Sequence, residues 1–432
     1  CQRRSRADSA GTAYYTYDNG GLETAITNPN GTTVANVYDH AGRLTSVTNK
    51  NSGGTTLSSF SYTLDTDGRK TAVSEADGSA VSFGYDWGGR LTSETRTGTN
   101  PYSISYTVDA VGNRTSQTIG SATTAFTLNS DDELTATSSS TGGFVNSYSY
   151  NANGEQTGRT LSGTAYTLAY DYDGQLLSTS VGGSTQSSFA YDATGRRVSR
   201  TNGGNTTKFC YAGGQILAEK QGSTTTAVYT YGNSLIRKDS EYPLFDGGGH
   251  ERTVTNGSQT VTGTINFDGF GNTVGSTGSS ASPYMYGATS GYRTEGDAGL
   301  SHVGARYYDA QVGRFITRDT ELDQKPYLYC EHDPVNATDP SGHLPGWGRV
   351  IVAAGALIGI PVMIYEIYDG WRISQEKNKH LKKVIKGGGH EGYNGDGSII
   401  GNPERGGPSG GKEPPWSADA FENPNAPKHR DP

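Results

Sequence analysis

A 432-residue chain with 62 glycines and only 32% apolar residues is long enough for two or three domains, yet poor in the residues that build an ordinary core. Its net charge of −8 arises before residue 345, where 24 Lys/Arg face 33 Asp/Glu, since the residues from 345 on carry 11 against 10. An acidic body lacks the clustered cations that phosphate contacts need, which excludes non-specific nucleic-acid binding by this part of the chain.

The chain opens "CQRRSR", with neither Met nor an apolar signal region. This start points to a piece of a longer chain, with residues 1–13 expected to be disordered; a lipid-anchored Cys1 is the alternative. The three cysteines, Cys1, Cys210 and Cys330, are too few and too widely spaced for a disulfide framework or a metal-ligand set.

From residue 14 onward a tetrad recurs: "DNGG" at 18, "DHAG" at 39, "DTDG" at 65, "DWGG" at 86, "DAVG" at 109, "DYDG" at 171 and "DATG" at 192. "NANG" at 151 is the same with Asn, and "NSDD" at 129 is a degenerate copy; the spacings stay between 20 and 26 residues. Asp bonds its own downstream backbone, and Gly supplies the positive φ that closes a hairpin loop. The flanks, such as "RLTSV" and "AVSFGY", alternate apolar with Ser/Thr at period two, which is the strand signal. Each repeat is therefore a strand, a tight turn and a strand. One hairpin cannot stand alone, so successive hairpins stack into a continuous sheet. Of the 28 tyrosines 25 precede residue 345, and a Tyr often precedes the Asp, as Tyr38, Tyr85 and Tyr191 do. Large rings with wet hydroxyls suit the interior of such a sheet. The single carboxylates of these turns do not make calcium loops, and His302 and His332 stand in no ligand spacing, so no metal or cofactor is expected.

Further on, "RYYDAQVGRFITRD" (306–319) and "ATDPSG" (337–342) place two arginines upstream of two turn-prone aspartates, Asp319 and Asp339. Two carboxylates brought together cannot both ionise, so one acts as acid and the other as base toward a water. A guanidinium beside them orients one or holds developing charge. The competing reading is two turn-formers and an Arg ion pair. Arg314 and Phe315 are expected to pack, and Asp333-Pro334 to turn.

"YDxxGRLTS" resembles the YD-repeat of RHS-repeat proteins. "INFDGFGN" (265–272), "GLSHVGARYYDAQVGRFITRD" (299–319) and "YLYCEHDPVNATDPSG" (327–342) resemble the RHS-repeat-associated core. The resemblance covers about residues 14–342, and its relatives include toxin-complex C components, bacterial polymorphic toxins and teneurins. It implies an all-β fold: YD-repeats over 14–210 spiral as a strip into a partial hollow shell, and a core over 211–343 plugs one end. It also implies aspartyl autoproteolysis just past the core, with Arg306, Asp319 and Asp339 at the matching positions. The chain departs twice: Thr320 follows Asp319 where Pro is usual, and His343 stands where Leu is expected, with Leu344 next. The bond cut is thus placed only within 342–345. The partners implied are the chain's own C-terminal segment and an immunity protein or secretion-system component, at the bacterial envelope or outside the cell. A non-enzymatic adhesive surface protein, whose Tyr rings stack on carbohydrate, is the alternative.

At 344 the composition changes. "VIVAAGALIGIPVMIY" (350–365) is followed by five lysines in "KNKHLKKVIK" (377–386). An apolar helix is expected over 350–368, as a membrane-inserting segment, the start of a small toxin domain, or a helix against the shell wall. Residues 387–432, rich in Gly, Pro and charge, are expected to be disordered.

Overall fold

The computed structural model describes residues 4–343, apart from 143–144, 281, 295, 297 and 322–324, and the backbone of 350–351. From Ser5–Asp8 to Leu235–Lys238 the strands form one 23-stranded antiparallel sheet in which each pairs with the next. The repeat chemistry accounts for it. At the first fully formed copy, Asp39 Oδ1 accepts the N–H groups of Ala41 and Arg43, each at 2.9 Å, and Gly42 turns at φ 76°. Arg43 then returns its Nε to Asp39 Oδ2 at 2.7 Å, which is why Arg so often follows the glycine. Asn129 and Asn151 build the same turn with an amide oxygen, and at the degenerate copy Asp132 takes the positive φ.

The Tyr before the Asp has a structural task. Tyr38, Tyr85, Tyr170 and Tyr191, and Tyr211 at the same place before a turn without Asp, each donate their hydroxyl to a backbone carbonyl of the preceding hairpin: Glu23, Lys70, Gln156, Leu176 and Arg197. These acceptors begin the strand after each turn and face inward. Read along the strip, that buried position runs Glu23, Leu44, Lys70, Leu91, Arg114, Leu134, Gln156, Leu176, Arg197. Leu alternates with a polar residue without a break. The leucines feed apolar clusters, while three of the polar side chains reach the core segment: Lys70 Nζ donates to Val335 O, Arg114 lies over the Phe270 ring, and Arg197 Nη1 donates to the Tyr307 hydroxyl; Gln156 meets the core through its backbone N–H, which donates to Ile316 O.

Three expectations need correction. Residues 4–13 are ordered: Ser5–Asp8 pairs with Gly11–Tyr17, and Asp8 accepts Arg237 Nε and Thr230 Oγ1, both at 2.7 Å. A buried-side anchor 229 residues away holds this edge strand. The first and last strands thus meet through side chains, although among the described residues no ladder joins them and the sheet stays unclosed. The strip also runs past 210, because Asn205–Ala212 through Leu235–Lys238 continue the meander. Finally, Val350–Ile351, expected to open a helix, pairs as a strand with Ala337–Thr338, as suits two β-branched residues. The remainder of the 350–368 run, with the lysine cluster and the tail, lies outside the described residues. Among those described, no helix is long and apolar enough to cross a membrane.

The core segment adds a four-stranded meander, Tyr242–Phe245 to Val261–Phe267 and Thr273–Gly278, and a second from Arg293–Thr294 to Arg314–Phe315. The second docks on the Asp-x-x-Gly turns themselves: Arg318 N–H and the Tyr327 hydroxyl both donate to Gly154 O, Arg314 Nη1 donates to Asn113 Oδ1, and Arg159 pairs with Asp309. Phe315 packs among the rings of the core segment, as expected, whereas Arg314, expected to pair within the core, reaches out to Asn113 and Asp132 of the strip.

Candidate active site

Arg306 opens the strand Arg306–Asp309, Asp319 follows that sheet, and Asp339 follows the short strand Ala337–Thr338. Three separate segments thus converge, and all three side chains are buried. Arg306 Nη2 lies 2.8 Å from Asp319 Oδ2 and 3.7 Å from Asp339 Oδ2, so one nitrogen serves both carboxylates. The guanidinium stacks 3.6 Å from the Phe315 ring centroid, and its Nη1 donates to Pro326 O at 3.2 Å. Arg306 does not pair with Asp309, whose carboxylate belongs to Arg159.

The chain at 341–343 is bound to the same three residues. Arg306 Nε donates to Gly342 O, and the His343 N–H donates to Asp339 Oδ1 at 3.2 Å and to Ser341 Oγ at 3.0 Å. His343 Nδ1 sits 2.8 Å from Asp319 Oδ1, which also accepts the Glu321 N–H at 3.0 Å. From behind, the Tyr292 hydroxyl accepts the Asp339 N–H at 2.7 Å and is itself bonded by Tyr329 at 3.1 Å. His343 was noticed in the sequence only as a departure. Its signal, an imidazole where an apolar residue is expected, becomes readable once Asp319 is seen opposite it.

The two carboxyls differ. Burial pushes Asp319 up, but the Arg306 charge and His343 outweigh it and hold the group below the ordinary value. Asp339 goes the other way: burial dominates and the Asp319 charge adds to it, so it is raised despite Arg306 and His343. Two carboxyls shifted in opposite directions share a guanidinium, as the two roles of an acid–base pair require. Among the described residues no group of His, Cys, Asp and Glu could hold a metal ion. His332 is buried and His302 half-buried, with basicity lowered first by desolvation and then by neighbouring arginines.

One glycine lets the site form. Gly304, at φ 54°, turns the chain between Ser301–Val303 and Arg306–Asp309 and lies where a Cβ would strike the Ser341 carbonyl. That carbonyl accepts the Ala305 N–H at 2.9 Å. Gly304→Ala is expected to cost about 1–3 kcal/mol in chemical denaturation and to displace residues 341–343 from Arg306; an unchanged midpoint would contradict this packing.

Consecutive hairpins opened by Tyr-Asp-x-x-Gly turns, capped by a segment bearing Arg306, Asp319 and Asp339, define a YD-repeat protein with an RHS-type core. The family model of the teneurin YD-shell matches residues 55–334, and the chain belongs to that family. It is also similar to the tRNA3(Ser)-specific nuclease WapA of Bacillus spizizenii, 27% identical over 186 residues, covering 39% of this chain and 7% of that one. The tRNA(Glu)-specific nuclease WapA of Bacillus subtilis subsp. natto is 33% identical over 89 residues, covering 19% of this chain and 4% of that protein. The chain therefore spans less than a tenth of the length of these curated relatives. Among solved structures, the TcdB2-TccC3 crystal structure aligns with TM-score 0.42 and 16% identity over 77% of this chain and 22% of that one. The Photorhabdus luminescens Tc holotoxin pore gives 0.43 and 15% over 77% and 21%.

Proposed function

We propose that this is part of a bacterial RHS-type toxin-related protein, secreted or at the cell surface, whose β-strip encloses or displays its own C-terminal segment and releases it by aspartyl autoproteolysis. The carrying observation is that Arg306, Asp319 and Asp339 meet on one another and on residues 342–343 at once, so a peptide bond of the same chain lies in their reach. The bond taken as cut is His343–Leu344, the place that the family resemblance implies, one peptide unit beyond the Gly342–His343 unit held by Arg306 and Asp339. Ionised Asp319 takes a proton from water, whose oxygen bonds the His343 carbonyl carbon, while protonated Asp339 gives its proton to the carbonyl oxygen. The resulting gem-diol collapses: Asp319 passes its proton to the Leu344 nitrogen, the C–N bond breaks, and Asp339 regains its proton from a gem-diol hydroxyl. One water is consumed, and a carboxylate and an amine are formed.

The C-terminal segment is then the cargo, and an immunity protein or a secretion-system component is its partner. The curated relatives are tRNA nucleases by name, but no residue pattern in the tail of this chain identifies that chemistry. The adhesive alternative has less to work with, because most of the strip's rings face inward, although Trp87 and Tyr172 are 96% and 94% exposed at their turn tips. The test is a denaturing gel of the purified chain with mass spectrometry of the new terminus. A fragment beginning at Leu344, absent in Asp339→Asn, is expected; an intact chain over days across the pH range would end the protease reading while leaving the fold untouched.

A further inference from the structure

We propose that His343 is the specificity-determining residue of the cut: Asp319 reads its imidazole through a hydrogen bond from Nδ1, so the site is built for a hydrogen-bond donor at this position and against an apolar side chain. The inference rests on the autoproteolysis reading and deepens it. The site engages the residue through its ring Nδ1 and its N–H, and through the carbonyl before it. The side chain is on Asp319 at 2.8 Å, the N–H is on Asp339 at 3.2 Å and Ser341 at 3.0 Å, and the preceding carbonyl is on Arg306. His343 is 6% exposed and Asp319 5%, so water does not replace a lost bond cheaply. Nδ1 must carry the proton, because Oδ1 of an ionised carboxylate can only accept.

Leucine at 343 brings carbons to that oxygen and leaves a buried acceptor with one donor fewer. It also frees the side chain from its contact with the base, leaving the residue held only through its backbone. A site that hydrogen-bonds its substrate discriminates far more strongly than an apolar slot, because the analogue strands a buried polar group. His343 thus acts as a positioning residue on the substrate side of the reaction.

The experiment follows release of the C-terminal fragment over time in the full chain made by cell-free translation, with melting temperatures taken in parallel. His343→Leu is expected to slow release by roughly 100-fold or more. Asn carries its amide nitrogen where Nδ1 lies and is expected to recover most of the rate; Gln, which carries it where Nε2 lies, is not. Should the Leu variant fail to fold, the comparison of Asn with Gln still decides. Release by His343→Leu at the wild-type rate overturns the proposal and leaves the protease standing, as does equal slowing by Asn and Gln. If the wild-type chain is not cut and matches Asp339→Asn, both readings fall together.

Discussion

An Arg306→Met chain is expected to lose the cut entirely and to be less stable than wild type by about 3–5 kcal/mol at neutral pH, as when one partner of a buried ion pair is deleted. Arg306 is 4% exposed and is the one guanidinium shown touching both site carboxylates. Without it Asp319 loses the charge that offsets its burial, and the two acids press each other toward protonation. The pH dependence gives the sign. In wild type Asp319 titrates below its ordinary value of 3.8, so its stabilisation is present above that pH and is lost as pH falls through the native value. The variant lacks this contribution and carries a carboxyl that prefers to be protonated. Its deficit is therefore largest near pH 7 and shrinks toward pH 4. Denaturant unfolding of both chains at the two pH values measures it; a deficit that grows on acidification would show that Arg306 is not the counter-charge of this pair.

The strip was legible because each turn writes itself in four residues: Asp39 and Gly42 carry their own bonds and dihedral locally. The turns at the opposite rim were overlooked although "NPNG" at 28, "NSGG" at 51 and "EADG" at 75 follow similar chemistry, with glycines at φ 86°, 83° and 83°. The alternation of Leu with Lys70, Arg114, Gln156 and Arg197 was also printed in the sequence, but its meaning was not. A polar residue at an inward position reads as an error until the core segment that satisfies it is in place. The extent of the strip to Lys238 was hidden for a related reason: the later turns, such as that at Gly213, lack the Asp that marks the others. At the site, Arg306, Asp319 and Asp339 were nameable through family resemblance. Their spacing alone favoured two turn-formers and an Arg ion pair over a catalytic pair. The bond from Asp319 to His343 joins residues 24 apart and depends on how three segments fold back, which no local pattern encodes.

The same dependence on the core segment makes Glu94 a neutral-pH liability outside the site. Glu94 is 1% exposed on the strand Leu91–Thr97, where it accepts the Tyr106 hydroxyl at 2.6 Å, the Tyr102 hydroxyl at 3.0 Å and the Gly269 N–H at 2.8 Å. Gly269 belongs to the core turn at Asp268, so this carboxyl sits between strip and core. Burial, and then the Asp268 charge, push it up to about 7, against the three hydrogen bonds that favour ionisation. A carboxyl raised in the folded state contributes stability that is complete below its ordinary value of 4.5 and is lost as pH rises through about 7. At 1.36 kcal/mol per pH unit the loss is on the order of 3 kcal/mol. Glu94→Gln removes the titration while keeping the shape and an acceptor for the tyrosines. The variant is expected to be no more stable than wild type at pH 5 but more stable at pH 8.5, the difference between the two chains moving by about 2–3 kcal/mol over that interval. Carboxyls that do not touch Glu94 titrate in both chains and cancel in that difference. Paired denaturation curves at the two pH values test it, and a difference that does not change with pH would mean that Glu94 is already ionised in the folded protein.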